Sequence, residues 1–311
     1  MDIPQFDPLT TTDPLPLVAR KIWAQEIQTV IAYEPEVRQA ATIKGVHESR
    51  KAMRRLRTSF KLFAPYFQPD ALRPFNRTFR RTMRRLGPAR DLAVFSQKLD
   101  AYRQQDTLPP EHAPPLNTLA TYITQQRLEA DNQAKLAFTH KRYQTGLPKF
   151  LAFLHDTNRH NQTYTPMDPH QIRHILPILL YQKIAYVRAY DGHVATCSDT
   201  ELHQLRIEFK QLRYTLRFFS PLLDTPETSL LKELKQHQEL LGDFNDASVA
   251  LDFLTNITIP DDNPLLIQGI NLYQTVQKQQ LIHLRQQFLI QWNNFLSSSW
   301  FHNVATAVAC L

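Results

Sequence analysis

A 20-residue segment occurs twice in this chain, and the repetition restricts the fold to one assembled from paired copies of a helix. Residues 46–65 read VHESRKAMRRLRTSFKLFAP and residues 202–221 read LHQLRIEFKQLRYTLRFFSP, a shift of 156. In register, His47 falls on His203, Arg50 on Arg206, Arg54 on Lys210, Arg57 on Arg213, Lys61 on Arg217 and Pro65 on Pro221. Their spacing, alternating 3 and 4, puts one histidine and four cations along one helix face in each copy. An apolar stripe runs one residue ahead of each row: Val46, Ser49, Met53, Leu56, Phe60 and Phe63, then Leu202, Leu205, Phe209, Leu212, Leu216 and Phe219. One residue is about 100° of helix turn. The cations are therefore predicted on the shoulder of the buried face, with stems on apolar surface and heads in water.

The repeat runs on. FNRTFRRTMRRLGPARDLAVF (75–95) matches LLKELKQHQELLGDFNDASVAL (230–251), and a shift of 155 aligns Arg77 with Lys232, Arg80 with Lys235, Gly87 with Gly242 and Asp91 with Asp246. Each glycine follows an apolar-periodic helix, as a left-handed cap would, and Pro88 suits the first turn of a following helix. Asp91 and Asp246 are then expected near helix N-termini, where the dipole favours a carboxylate, or as partners that orient nearby arginines. Helix periodicity predicts elements near 14–33, 36–64, 69–86, 88–105, 115–143 and 146–157, then 169–190, 199–220, 226–241, 243–256, 264–298 and 299–309. With Gly at only 6 of 311 residues, the class is all-α. The repeat predicts two tandem helical bundles of the four-helix type, related by a pseudo-two-fold axis. A Pro-rich tail over 1–15, a first half over 16–166 and a second over 167–311 follow.

Charge is placed unevenly. Residues 1–166 hold 25 Lys and Arg against 15 Asp and Glu, whereas 167–311 hold 11 against 14. Within 44–90, 14 cations face only Glu48 and Asp70. Such local charge points to an anionic partner at one place. Charge runs on helices are ordinarily solvated faces, but those mix signs at i,i+4, and these rows carry like charges that repel by roughly 0.2–0.5 kcal/mol per pair. That the pattern recurs in an otherwise acidic half argues for a ligand. His47 and His203 open the two rows. Beside phosphate their imidazolium forms would be favoured and without it disfavoured, so a ligand-coupled proton is expected there.

Other chemistries find little support. Cys197 and Cys310 fit no metal or redox spacing, and so few cysteines suit a reducing cytosol. The acidic, Pro-rich start is unlike a signal peptide, and no run approaches the roughly 20 apolar residues of a membrane span. Glu34-Pro35-Glu36-Val37-Arg38 superficially resembles an acidic metal-binding motif of triphosphate hydrolases, but that chemistry needs alternating carboxylates on strands and this stretch reads as helix. His155-Asp156 has no second ligand set and reads as surface. No phosphate-binding loop, zinc spacing or nucleotide fingerprint is present. The reading is a binding protein with no catalytic residues, no metal and no cofactor.

The residues that carry a resemblance are now in hand. His47-x-x-Arg50-x-x-x-Arg54-Arg55-Leu56-Arg57 and His203-x-x-Arg206-x-x-x-Lys210-x-Leu212-Arg213-Tyr214 are each followed by a second basic helix, then by Leu86-Gly87-x-x-Arg90-Asp91 or Leu241-Gly242-x-x-Asn245-Asp246. In this order they closely resemble the CHAD family, named for a conserved histidine α-helical domain, over all but about 15 N-terminal residues. The resemblance implies two four-helix bundles in pseudo-two-fold symmetry and non-catalytic binding of inorganic polyphosphate along a basic central surface. Some members are fused to a triphosphate-hydrolase domain, for which the stretch before His47 is too short, and some associate with cytoplasmic polyphosphate granules. Departures from equality between the copies are Lys51 against Ile207, Arg55 against Gln211, Arg84 against Glu239 and Arg90 against Asn245; Ala93 stands where the family often has a second acid. They predict a site weighted towards the first half.

Polyphosphate suits such rows because it is dense in charge and has no bases to read, and arginine grips phosphate oxygens in bidentate fashion while lysine acts as a point charge. The expected binding set is His47, Arg50, Arg54, Arg57, Lys61, Arg77, Arg80 and Arg84 with His203, Arg206, Lys210, Arg213, Arg217, Lys232 and Lys235. An RNA- or DNA-binding helical protein is the alternative, less favoured because Phe and Tyr mostly fall on core stripes rather than on stacking surfaces. An enzyme acting on phosphorylated substrates is disfavoured further.

Overall fold

The computed structural model describes residues 2–156, 161, 165, 167–223, 227–257, 259, 263–309 and 311. Among them the chain is all-α. It forms α1 (Leu15–Ala40), α2 (Ile43–Phe63), α3 (Arg73–Arg85), α4 (Gly87–Arg103), α5 (Ala113–Lys135), α6 (Lys141–His155), α7 (Ile172–Arg188), α8 (Asp199–Phe219), α9 (Glu227–Thr255), α10 (Pro264–Leu296) and α11 (Trp300–Ala309). The described residues hold no strand, only isolated bridges at Pro14–Gln171 and Phe67–Asn161. Cys310 and the junction expected at 166 lie outside the described residues.

Three junctions differ from the sequence expectation, and the break expected near 144–145 falls instead between Lys135 and Lys141. Pro35 does not end a helix: α1 runs through it to Ala40, because a fixed φ near −65° fits the helix even though one backbone donor is lost. The break comes at Ala41, which takes a left-handed conformation (φ 46°, ψ 41°), and at Thr42, whose hydroxyl accepts from the Gly45 N–H at 3.0 Å. Gly242 likewise ends nothing, since α9 continues across it. Neither Gly87 nor Gly242 is a left-handed cap, and Gly192 is the positive-φ glycine among the described residues. Gly87 instead opens α4, where an added Cβ would stand 3.2 Å from Arg50 Nη1; its role is to let that guanidinium approach. Asp246 therefore lies inside α9 and gains nothing from a helix N-terminus.

The apolar stripes behave as their period requires, and all twelve positions of α2 and α8 are buried. Trp23 of α1 packs on Phe60 at 5.2 Å and on Phe67 at 5.2 Å, and its indole N–H donates to Ser59 Oγ at 2.9 Å. In the second half Phe209 meets Trp292 at 5.9 Å and Phe295 at 5.7 Å. The stripes also meet each other: Phe63 and Phe219, which correspond in the repeat, pack edge to face at 6.2 Å. A separate apolar cluster of Phe95, Leu99, Leu116, Leu119, Ile123, Leu254, Leu266, Ile270 and Tyr273 ties α4 and α5 to α9 and α10. The halves thus share packing at two places. The N-terminal segment is anchored as well, with Leu15 N–H donating to His170 O and Ile172 N–H to Asp13 O, both at 3.0 Å.

α8 starts on a capping box, in which Ser198 and Glu201 each bond the other's backbone N–H. Ser198→Ala is expected to cost about 1 kcal/mol, read as a lowered urea midpoint with unchanged slope.

Candidate anion-binding site

α2 and α8 face a single cleft of about 840 Å³, closed by residues of α4, α9 and α10. Of the expected set it brings together His47, Arg50 and Arg54 from α2, His203, Arg206, Arg213 and Arg217 from α8, and Lys235 from α9. Their stems lie against the buried stripes, so most heads are only partly exposed.

The remaining expected residues lie elsewhere. Arg57 sits on the α2–α3 seam, where its Nε donates to Asn76 Oδ1 at 3.1 Å. Burial, then Arg80, Arg54 and Arg84, lower its pKa. Arg77, Arg80 and Arg84 are exposed on α3, as are Lys61 on α2 and Lys232 on α9. They form an outer basic surface rather than the cleft wall.

Lys210 is the most perturbed of the row. It is half-buried on α8, does not line the cleft, has no hydrogen-bond or carboxylate partner among the described contacts, and feels the charges of Arg54, Arg206, Arg213 and Arg50. Burial first, then those four cations, push its pKa down to about 6. His47 is also held below the usual histidine range, by burial and then by Arg90. His203 takes a different environment, its Nδ1 lying 2.7 Å from Asn245 Oδ1. Arg50 donates from Nη1 to Met83 O at 2.7 Å, while the Nε atoms of Arg50 and of its counterpart Arg206 are buried without a hydrogen-bond partner.

Acidic partners change the balance expected between the copies. Arg55 is buried and paired with Glu26 at 2.6 Å, and Lys51 with Glu48 at 2.8 Å. The two cations that were to strengthen the first wall are thus already neutralised. Lys235 pairs with Glu239 at 3.3 Å. Among described residues, the cleft arginines with no carboxylate within bridging distance are Arg54 and Arg90 from the first half and Arg206, Arg213 and Arg217 from the second. The site is not weighted towards the first half.

Sequence reasoning left out several lining residues. Arg90 stood only in the motif comparison. Lys98, seven residues after Asp91 and so on the same face of α4, reaches across to Asp243 at 2.9 Å and Asp246 at 3.4 Å. Leu92, Val94, Phe95, Val249, Ala250, Phe253, Tyr273 and Gln277 line the far end; this apolar end was masked because its aromatics read as core. Glu34 accepts from Tyr143 Oη at 2.9 Å on helix α1, in keeping with a structural rather than metal-binding role. No group of three or more potential His, Cys, Asp or Glu metal ligands occurs among the described residues, and no helix among them is long and apolar enough to cross a membrane.

Three comparisons bear on this arrangement. The CHAD domain family model matches residues 21–255, ending at α9, so that α10 and α11 lie beyond it. The crystal structure of the CHAD domain from the plant Ricinus communis is 22% identical, with a TM-score of 0.72 over 91% of this chain and 94% of that one. PptA from Streptomyces chartreusis is 15% identical, with a TM-score of 0.68 over 90% of this chain and 99% of that one. Those identities speak to the fold alone. No curated protein matches the chain. With the family model spanning most of its length, including both basic helices, the chain belongs to the CHAD domain family.

Proposed function

We propose that this protein binds inorganic polyphosphate in the cleft between α2 and α8, and does so without catalysis. The observation that carries this reading is the set of five arginines, Arg54, Arg90, Arg206, Arg213 and Arg217, which converge on one cleft with no carboxylate within bridging distance among the described residues. Partly desolvated arginines repel one another, and a phosphate chain relieves that repulsion at several points along its length. Its oxygens accept the bidentate fork of each guanidinium. Arg57 on the α2–α3 seam and the exposed Arg80 and Arg84 would carry a long chain out of the cleft over α3. A place in the cytoplasm, at polyphosphate granules, fits such a ligand.

Single-stranded RNA shares the charge but brings bases that need successive stacking surfaces. Most aromatic side chains here are in the two cores, and one small aromatic patch could serve one base, not a tract. In a competition at about 150 mM salt, long-chain polyphosphate is expected to displace labelled single-stranded RNA at equal phosphate concentration. RNA displacing polyphosphate would replace this reading with the nucleic-acid one. Binding to either should weaken steeply with salt. With roughly six phosphates neutralised, a fall of about 10²–10³-fold between 50 and 200 mM is expected for a single strand.

A further inference from the structure

The cleft is not basic throughout. Along α4 it passes from Arg90 through Asp91 to Val94 and Phe95, and along α9 from Asn245 and Asp246 to Val249 and Phe253. On α4 a cation and a carboxylate thus precede the apolar residues, with Lys98 beyond Phe95 turned back onto Asp243 and Asp246, and on α9 an amide and a carboxylate precede them. On α4 the step from Asp91 to Phe95 is about 6 Å of helix rise, and on α9 that from Asp246 to Phe253 about 10 Å. Phe253 stands edge on to Phe95 at 5.5 Å, and Val249 is 44% exposed, although it lies on an apolar face. Gln277 is a polar side chain 2% exposed at this end. Inorganic polyphosphate has no use for an apolar end or for carboxylates beside it.

We propose that the cleft also takes a nucleoside 5′-triphosphate, with the phosphates among Arg54, Arg90 and Arg206, the ribose at Asp91 and Asp246, and the base against Val249 and Phe253. The inference rests on the reading of the cationic end as a phosphate site. The order of the three zones is the order of the three parts of a nucleotide. Carboxylates accept hydrogen bonds from hydroxyls, so they suit a ribose. They would be wrong beside the acyl or prenyl chain of a phosphorylated lipid. Asp91 keeps acceptor capacity for this: its side chain is 55% exposed and lies 4.0 Å from Arg50. The base would cover an apolar patch that is otherwise left to water, and a base on an aromatic face adds affinity that charge alone does not supply.

The test compares ATP with inorganic tripolyphosphate by titration calorimetry at fixed salt without divalent cations. Both carry three phosphates, so a purely ionic site gives ATP no advantage. The proposal expects ATP to bind about tenfold more tightly. Val249→Trp, which fills the apolar end without removing a core side chain, should bring ATP down to the tripolyphosphate value and leave tripolyphosphate unchanged. Phe253→Ala, checked for folding by circular dichroism, should do the same. Equal binding of ATP and tripolyphosphate by the parent protein, or equal loss of both in Val249→Trp, would overturn the inference. Long-chain polyphosphate still binding in that case would leave the function proposed above standing. Failure of tripolyphosphate and long-chain polyphosphate alike would remove the phosphate site on which both rest.

Discussion

Replacing Arg54 and Arg206 together by glutamate is expected to weaken polyphosphate binding about 10³-fold, while Lys278→Glu changes it less than about twofold. Arg54 and Arg206 come from opposite walls and line the same cleft. Each loses a charge-assisted contact to phosphate worth about 1.5–3 kcal/mol, and two such losses amount to about 3–6 kcal/mol, of which 1.4 kcal/mol is a factor of ten. Each glutamate also adds repulsion against the chain. Lys278 carries the same charge on an exposed face of α10 and does not line the cleft, so its replacement controls for the charge change of one of the two substitutions. Folding should survive the double replacement, because ligand-free Arg54 and Arg206 stand among cations and lower the pKa of Lys210 between them. Fluorescence anisotropy at fixed salt reads the affinities. A loss of free energy in Lys278→Glu half as large as that in the double variant, which changes twice the charge, would show that binding follows net charge rather than this site.

The second large effect is a proton. Lys210 releases its proton near pH 6 in the ligand-free protein, pushed there by burial and the surrounding arginines. A phosphate chain above it favours the ammonium form and raises that value. Between the free and bound values binding takes up a proton, so affinity falls as pH rises from about 6, by up to tenfold per unit. Calorimetry at pH 7.5 in two buffers of different ionisation enthalpy should show uptake, and Lys210→Met should remove up to one proton of it. The same lysine bears on stability. The unfolded chain keeps this proton to the ordinary lysine range, whereas the folded, ligand-free chain loses it near pH 6. The folded state therefore binds one proton fewer across that window, and stability rises with pH through it. Lys210→Met is accordingly expected to raise the ligand-free Tm at pH 7, by about 1–2 °C for each kcal/mol of desolvation and repulsion removed in a chain of this length. A variant that binds polyphosphate as well as the parent and melts no higher would contradict this role for Lys210.

Much of this was legible because helix periodicity reports burial directly. The stripes from Val46 to Phe63 and from Leu202 to Phe219 follow from spacing alone, and the shoulder position of the cations follows with them. What spacing cannot report is who stands opposite. Glu26 is 29 residues from Arg55, so the loss of Arg55 as a free cation needed α1 to pack on α2. The burial of Lys210 depends on how closely α2 and α8 approach, not on either helix by itself. Gly87 and Gly242 align in sequence yet differ in surroundings: Arg50 crowds the first, and nothing lies within 4 Å of a Cβ at the second. Phe95, Phe253 and Tyr273 read as core and are largely that, but they also form the wall of a cleft that exists only once α4, α9 and α10 are assembled.

The central claim, that both basic rows grip one chain, is tested most directly by a crystal structure with long-chain polyphosphate. The expected density is one continuous chain in the cleft, with phosphate oxygens about 2.7–2.9 Å from the guanidinium nitrogens of both Arg54 and Arg206. A chain bound only over Arg77, Arg80 and Arg84 on α3, with the cleft left empty, would contradict it.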